Sequence, residues 1–270
     1  MSDLNNTAQV TPLRVALIQT ELAWQDALAN RQQLAAKIAA CAGADLIVLP
    51  EMFTTGFSMQ SDAIAEPEGD TLAWLKQQAA VTDAALCGSV PTRLGSDCVN
   101  RCYFVTPEGQ VTTYDKKHLF RMAGEHQAYR AGTERVVVHY LGWRLLLQVC
   151  YDLRFPVFSR SRNDYDIALY VANWPAARAH AWRTLLQARA IENQAFVLGC
   201  NRVGTDGNAV AYSGDSLIVD YLGQPVADVS PGEDSVLSAE LDYVKLLQYR
   251  QQFPAVLDAD PFTLSAAKEC

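Results

Sequence analysis

Three reactive side chains stand where apolar runs of this sequence stop. Glu51 follows LIVLP at 46–50, Lys116 follows VTTYD at 111–115, and Cys150 follows LLLQV at 145–149. A carboxylate, an amine and a thiol can together deprotonate a nucleophile, attack an electrophilic carbon and hold the negative charge that develops on its oxygen. Ligands of α/β sheets collect just outside strand ends, so these three groups are candidates for one site.

Cys150 carries the most information. Asp152 and Pro156 behind it read as a helix start, with Asp152 as N-cap and Pro156 in the first turn. A thiol at such a junction feels the positive end of a helix dipole, and a nearby lysine adds to that pull, so thiolate is expected. The plain alternative is a small buried hydrophobe, the usual role of a free cysteine. The partner base stands open on pattern alone. His118 and His126 lie on a long aperiodic stretch at 116–134 and offer a Cys–His pair, whereas His139 in a strand pattern and His180 at a helix start read as structural. Glu51 is the rival, a carboxylate whose partial desolvation suits it to proton shuttling. Lys116 and Lys117 both fit the amine, against the ordinary reading of solvated surface charge.

The elements that must position these groups alternate. Strands are expected at 13–19, 46–50, 84–90, 102–106 and 111–114, with helices at 26–41 and 71–82. After the long loop, strands follow at 135–140, 144–149, 167–172 and 195–201, with a helix from about 177 to 192 and short strands between 212 and 241. This is an α/β pattern. No repeat or linker divides it, so one domain over 1–270 is expected, with a polar extension at 1–11 and a tail from about 250.

Half of the 270 residues are apolar, which excludes intrinsic disorder. The formal charge of -8 opposes a nucleic-acid or anionic-membrane partner and suits a small-molecule substrate. No apolar run nears the roughly 18 residues of a membrane span, and the first eleven residues do not read as a signal peptide, so a cytoplasmic location is expected. Seven cysteines argue against a disulfide framework. Cys98 and Cys102 have the spacing of half a metal site, but nothing completes a tetrahedral set, and they read as strand residues. Phosphate-binding loops, dinucleotide fingerprints and serine elbows are absent from the sequence.

The runs LIVLPEMF at 46–53, YDKKHLF at 114–120 and VCYDLRFP at 149–156 resemble, in order and spacing, the three signature stretches of the nitrilase superfamily of carbon-nitrogen hydrolases. Further stretches at 173–204 and 213–220 resemble that family's second half, so the likeness covers nearly the whole chain. The resemblance implies Glu51 as general base, Lys116 rather than Lys117 as the oxyanion lysine, and Cys150 as nucleophile. Glu125, in GEHQAY, sits where the family often has a second glutamate orienting the lysine and the substrate. His118 then belongs to a structural loop pattern, and the backbone N–H of Tyr151 becomes a second oxyanion donor.

Within the superfamily, EMFTTGF, YDKKHLFRMAGEH, CYDLRFPVFSR and ANWP are most similar to the ω-amidase branch, which hydrolyses the terminal amide of α-ketoglutaramate and α-ketosuccinamate. In that branch an arginine corresponding to Arg154 holds the substrate carboxylate, a role suited to its planar fork. Pairing of Arg154 with Asp152 or another internal acid is the open alternative. Phe53, Phe57 and Trp174 are expected as apolar walls of the pocket or, equally, as core. The family implies a four-layer αββα sandwich, commonly paired as a homodimer, and chemistry without metal or organic cofactor. N-carbamoyl amidohydrolase and nitrilase are the competing activities, and a non-catalytic small-molecule binder or thiol redox sensor is the competing class.

Overall fold

The structure is a computed structural model describing residues 10–264. Most of the expected polar extension at 1–11 and the last residues of the expected tail, 265–270, lie outside the described residues.

Each apolar run divides its side chains between two cores. Along β1 (Leu13–Gln19), Leu13, Val15 and Leu17 face one core, and Ala16 and Ile18 face another. β2 (Leu46–Val48) and β3 (Ala85–Leu94) divide in the same way, as the two-residue period of a strand covered on both faces requires. The outer core is closed by α1 (Ala27–Ala40) through Leu34 and Ile38. Leu75 and Ala79 close it too, from the helix Asp70–Thr82, which is α3 after the single turn α2 (Ser61–Ile64). Burial of Leu34, Ile38 and Leu75 stabilises the layer by about 1.5–3 kcal/mol each, and the Ala79 methyl adds less. Asp26 starts α1 by accepting the Ala29 N–H at 2.9 Å.

The chain continues through β4 (Asp97–Val105), β5 (Val111–Asp115), the one-turn α4 (Glu125–Ala128), β6 (Val137–Tyr140), β7 (Trp143–Val149), the one-turn α5 (Pro156–Ser159), β8 (Ile167–Ala172) and α6 (Ala179–Asn193). It ends with β9 (Phe196–Asn201), β10 (Val203–Thr205), β11 (Ala211–Ser213), β12 (Leu217–Val219), β13 (Pro225–Asp228), β14 (Ser235–Leu241) and α7 (Tyr243–Gln252). One sheet has the order β14-β1-β2-β3-β4-β5 and the other β6-β7-β8-β9-β12-β13. Both run as one antiparallel edge strand, three parallel strands and two further antiparallel strands. The sheets pack face to face, and the Cys200 thiol of β9 reaches the carbonyls of Ile18 and Val48 across the interface at 3.5 and 3.4 Å. α6 covers the second sheet with Trp182, Leu186 and Ala190, completing the αββα sandwich. Among the described residues no helix is long and apolar enough to cross a membrane.

The hairpin of β3 and β4 is longer than expected, because Pro91 and Arg93 broke the apolar pattern although their backbone pairs with Asn100 and Cys98. At the other end of the chain, α7 was not expected. Its Arg250 donates to Asp166 at 2.8 Å and to the Tyr165 carbonyl at 2.9 Å, so the free tail begins later than residue 250.

Candidate active site

The turn after β2 aims Glu51 inward. Met52 adopts a left-handed φ of 43°, and its N–H donates to Ser89 Oγ at 2.9 Å, which pins the turn against β3. Glu51 is fully buried. Its Oε1 accepts from Lys116 Nζ and from Asn100 Nδ2, each at 2.8 Å, and its Oε2 accepts the backbone N–H of Asn173 at 2.8 Å. Lys116, just past β5 and equally buried, also donates to both oxygens of Glu125 at 3.0 Å. Its own backbone is fixed on both sides, by the Asn100 carbonyl and by the Gly132 N–H, each at 2.9 Å. Glu125 Oε2 in turn accepts the Phe120 N–H at 2.6 Å. Every charged group in this cluster therefore has partners, as burial demands.

Cys150 directly follows β7 in a left-handed conformation, φ 46°, and opens a 3-10 turn over Cys150–Arg154. Such a φ costs a non-glycine residue about 1–2 kcal/mol. It turns the thiol out of the sheet, toward the buried charges and the adjoining cavity. The helix start differs from the expected one. Asp152 is not the N-cap but lies inside the turn, where its Oδ2 accepts the Val149 N–H at 2.9 Å and the Tyr114 hydroxyl at 2.7 Å. Its Oδ1 meets the His118 N–H and ring Nδ1 at 3.0 and 2.7 Å. One carboxylate thus ties the strand end bearing Lys116 to the strand end bearing Cys150.

The electrostatics also depart from expectation. Burial alone would push the Lys116 ammonium down, but the charges of Glu125 and Glu51 outweigh it and hold the amine protonated. Burial lifts the Glu125 carboxyl above the usual carboxylate range, against the pull of Lys116. For Cys150, burial is reinforced by the Glu51 charge and only partly offset by Lys116, so the thiol is pushed well above its ordinary range. Burial and the Glu51 charge thus oppose the expected thiolate. A one-turn helix end cannot repay the desolvation of sulfur beside a carboxylate, and the proton must leave as the sulfur attacks.

A cavity of about 620 Å³ opens beside Cys150. Phe57, Tyr151, Arg154 and Trp174 line it, together with Asn173, Arg178, Asp206 and Tyr212. Phe57 also places its ring 5.1 Å from Lys116 Nζ. Arg154 forms no ion pair among the described residues; its guanidinium lies 4.9 Å from the Trp174 ring centroid, and Asp152 is engaged elsewhere. Phe53 is not a wall. It is fully buried in the outer core, against Trp74 and over Gly88, whose missing Cβ leaves room for the ring. Among the described residues no histidine lines this cavity: His118 stacks on Phe155 with centroids 3.9 Å apart, and His126 and Lys117 line a separate outer cleft.

Asn100, Asn173 and Arg178 were not singled out from sequence. Asn173 donates its N–H to the Glu51 carboxylate and its Nδ2 to the Glu51 carbonyl, the latter at 2.5 Å. The available signal was positional, since Asn173 directly follows a fully buried strand, as Glu51 nearly does.

Comparison with known proteins supplies further constraints. Residues 14–251 match the carbon-nitrogen hydrolase family. The chain is 52% identical over 255 residues to the omega-amidase YafV of Yersinia enterocolitica, covering 94% of this chain and 100% of that protein. It is 35% identical to the 2-oxoglutaramate amidase of Bacillus subtilis, over 80% of this chain and 85% of that one. A crystal structure of a CN-hydrolase superfamily protein from Xanthomonas campestris, with an arsenic adduct in its active site, superposes with a TM-score of 0.92 at 46% identity, covering 94% and 100% of the two chains.

Proposed function

The chain belongs to the carbon-nitrogen hydrolase family and is an amide-hydrolysing enzyme, and from that premise we propose that it is an ω-amidase using Glu51, Lys116 and Cys150 on α-ketoglutaramate and related short ω-amides. One observation carries the site assignment: the buried Glu51 and Lys116 tips meet at 2.8 Å within electrostatic reach of the Cys150 thiol, which itself lines the cavity.

Glu51 takes the thiol proton as Cys150 sulfur attacks the amide carbon. The carbonyl electrons move onto oxygen, where Lys116 Nζ and the Tyr151 N–H hold the charge. Collapse of this intermediate breaks the C–N bond, and the departing nitrogen leaves as ammonia with the proton from Glu51. Glu51 then deprotonates a water that adds to the thioester, and the second collapse releases the carboxylic acid and returns the proton to sulfur. Glu125 keeps Lys116 aimed throughout. Arg154, braced on Trp174, engages the substrate carboxylate, and Phe57 limits the chain between the two ends.

Ammonia release from α-ketoglutaramate, N-carbamoyl amino acids and short nitriles tests this reading. The keto-amide is expected to be the best substrate, and Cys150→Ala is expected to lower kcat by about 10⁴-fold or more. Near-normal turnover by that variant would refute the nucleophile, and preference for a nitrile or carbamoyl compound would refute the substrate. A cytoplasmic homodimer completes the proposal, and light scattering of the purified protein tests the pairing.

A further inference from the structure

Three charged residues stand in the wall of the Cys150 cavity: Arg154, Arg178 and Asp206. Asp206 is already engaged. Its Oδ1 accepts the N–H groups of Asn208 and Val210 at 2.8 and 3.0 Å, and its Oδ2 accepts the Tyr212 hydroxyl at 2.8 Å. Neither arginine has a carboxylate partner among the described residues. Each rests on an aromatic face instead, Arg154 at 4.9 Å from the Trp174 centroid and Arg178 at 5.3 Å from that of Phe120. Trp174 couples the two, because its face carries Arg154 while its Nε1–H donates to the Arg178 carbonyl at 2.9 Å. Stacking of this kind fixes a guanidinium and leaves its in-plane N–H donors free for a ligand.

One carboxylate occupies one guanidinium fork. A substrate whose only polar group remote from the amide is a carboxylate leaves the second fork unused. We propose that Arg178 is a second substrate-binding residue, donating to an oxygen on the carbon next to the carboxylate, so that the cavity selects 2-oxo acid ω-amides over ω-amides bearing an α-ammonium. This inference rests on the ω-amidase reading above. A 2-oxo group offers only acceptor lone pairs and meets the donors of Arg178. An α-ammonium offers only donors and positive charge, and it would face two guanidinium groups with the wall's single carboxylate already bonded.

The experiment compares kcat and KM of wild type, Arg178→Gln and Arg154→Gln on α-ketoglutaramate and on glutaric acid monoamide, the same chain without the oxo group. For Arg178→Gln, the ratio of kcat/KM between keto-amide and monoamide is expected to fall roughly tenfold or more, chiefly through KM. For Arg154→Gln both substrates are expected to lose by about the same factor. Turnover of the monoamide by Arg178→Gln itself reports a folded site. An unchanged ratio, an equal loss on both substrates, or a loss confined to kcat overturns the proposal. A side chain that merely braced Phe120 would disturb Glu125 and slow every substrate alike. Arg178→Glu is further expected to raise glutamine relative to the keto-amide, and no rise would refute the charge argument. Wild-type enzyme inactive on α-ketoglutaramate overturns the ω-amidase reading itself, whereas an active wild type with unaltered selectivity in the variants overturns this inference alone.

Discussion

The two sheets share one pattern of parallel and antiparallel pairing, yet they contribute opposite kinds of group to the site around Cys150. The first sheet and its loops supply Glu51, Asn100, Lys116 and Glu125, all fully buried and bonded mainly to one another. The second supplies Cys150, Arg154, Trp174 and Arg178, which face the cavity, two of them with N–H donors left for a ligand. The halves meet at equivalent places, where the chain after β8 donates the Asn173 N–H to the residue that follows β2 by three positions. The difference has a physical cause. Buried charges are tolerable only when they compensate each other at close range, so the charged machinery gathers on one side. Recognition needs donors that are unspent, so they gather on the other.

Removing the first sheet's central cation should have the largest effect on stability. Lys116→Ala leaves two buried carboxylates facing one another, so chemical denaturation should show a loss of about 3–5 kcal/mol. Its kcat should fall roughly 10²–10³-fold from loss of the oxyanion donor. Adding Glu125→Gln should recover much of the stability and none of the activity. Recovery of both would mean that Lys116 only balances charge.

A matched pair of glycines compares the halves directly. A Cβ on Gly88 of β3 would meet Leu49 Cβ and Phe53 Cδ1 at 2.9 Å, and one on Gly199 of β9 would meet Leu186 Cδ1 at 2.5 Å. Both alanine variants should lose about 1–3 kcal/mol by overpacking. Gly88→Ala should also lower kcat roughly tenfold, since Phe53 is two residues from Glu51 and displacing it moves the base. Gly199→Ala presses first on Leu186 and Trp182 of α6, away from Glu51, and its kcat per folded molecule should fall less. Equal kcat in the two variants would erase the distinction.

The smallest effect is a pH dependence. The folded-state pKa of Cys150 is raised above its unfolded value. Its contribution is therefore fully present below the unfolded thiol pKa and is lost as pH rises toward the folded one. Urea unfolding between about pH 8 and 10 should show wild type losing stability more steeply than Cys150→Ala. Parallel slopes would indicate a thiol pKa unshifted by folding, and a wild type that gains stability relative to Cys150→Ala over this range would indicate a thiolate already present at rest.

Much of the framework was legible because local periodicity carries it. The strand at 13–19, the helix expected at 26–41 and the fully apolar strand at 167–172 need only the spacing of their own residues. The early half of β4 was illegible, because Asn100 and Arg101 look like loop residues until partners are known. Asn100 bonds Glu51 and the flanking Arg101 bonds Asp115 at 2.7 Å, so long-range pairing overrides their local preference. Phe53 was ambiguous for a related reason. An aromatic ring two residues from the proposed general base fits a pocket wall as well as a core, and the gap above Gly88 decides between them.

The sequence by itself determined which reactive groups end apolar strands, and through its three signature runs it determined the family to which Glu51, Lys116 and Cys150 belong. Those are properties of residue type and spacing along one dimension. Only the tertiary structure decided that burial beside Glu51 pushes the thiol up rather than down, that Asp152 joins two strand ends rather than capping a helix, and that two arginines face the cavity with no carboxylate partner among the described residues. Each of these depends on desolvation and on partners far along the chain, and such energies exist only once the two sheets have closed on one another.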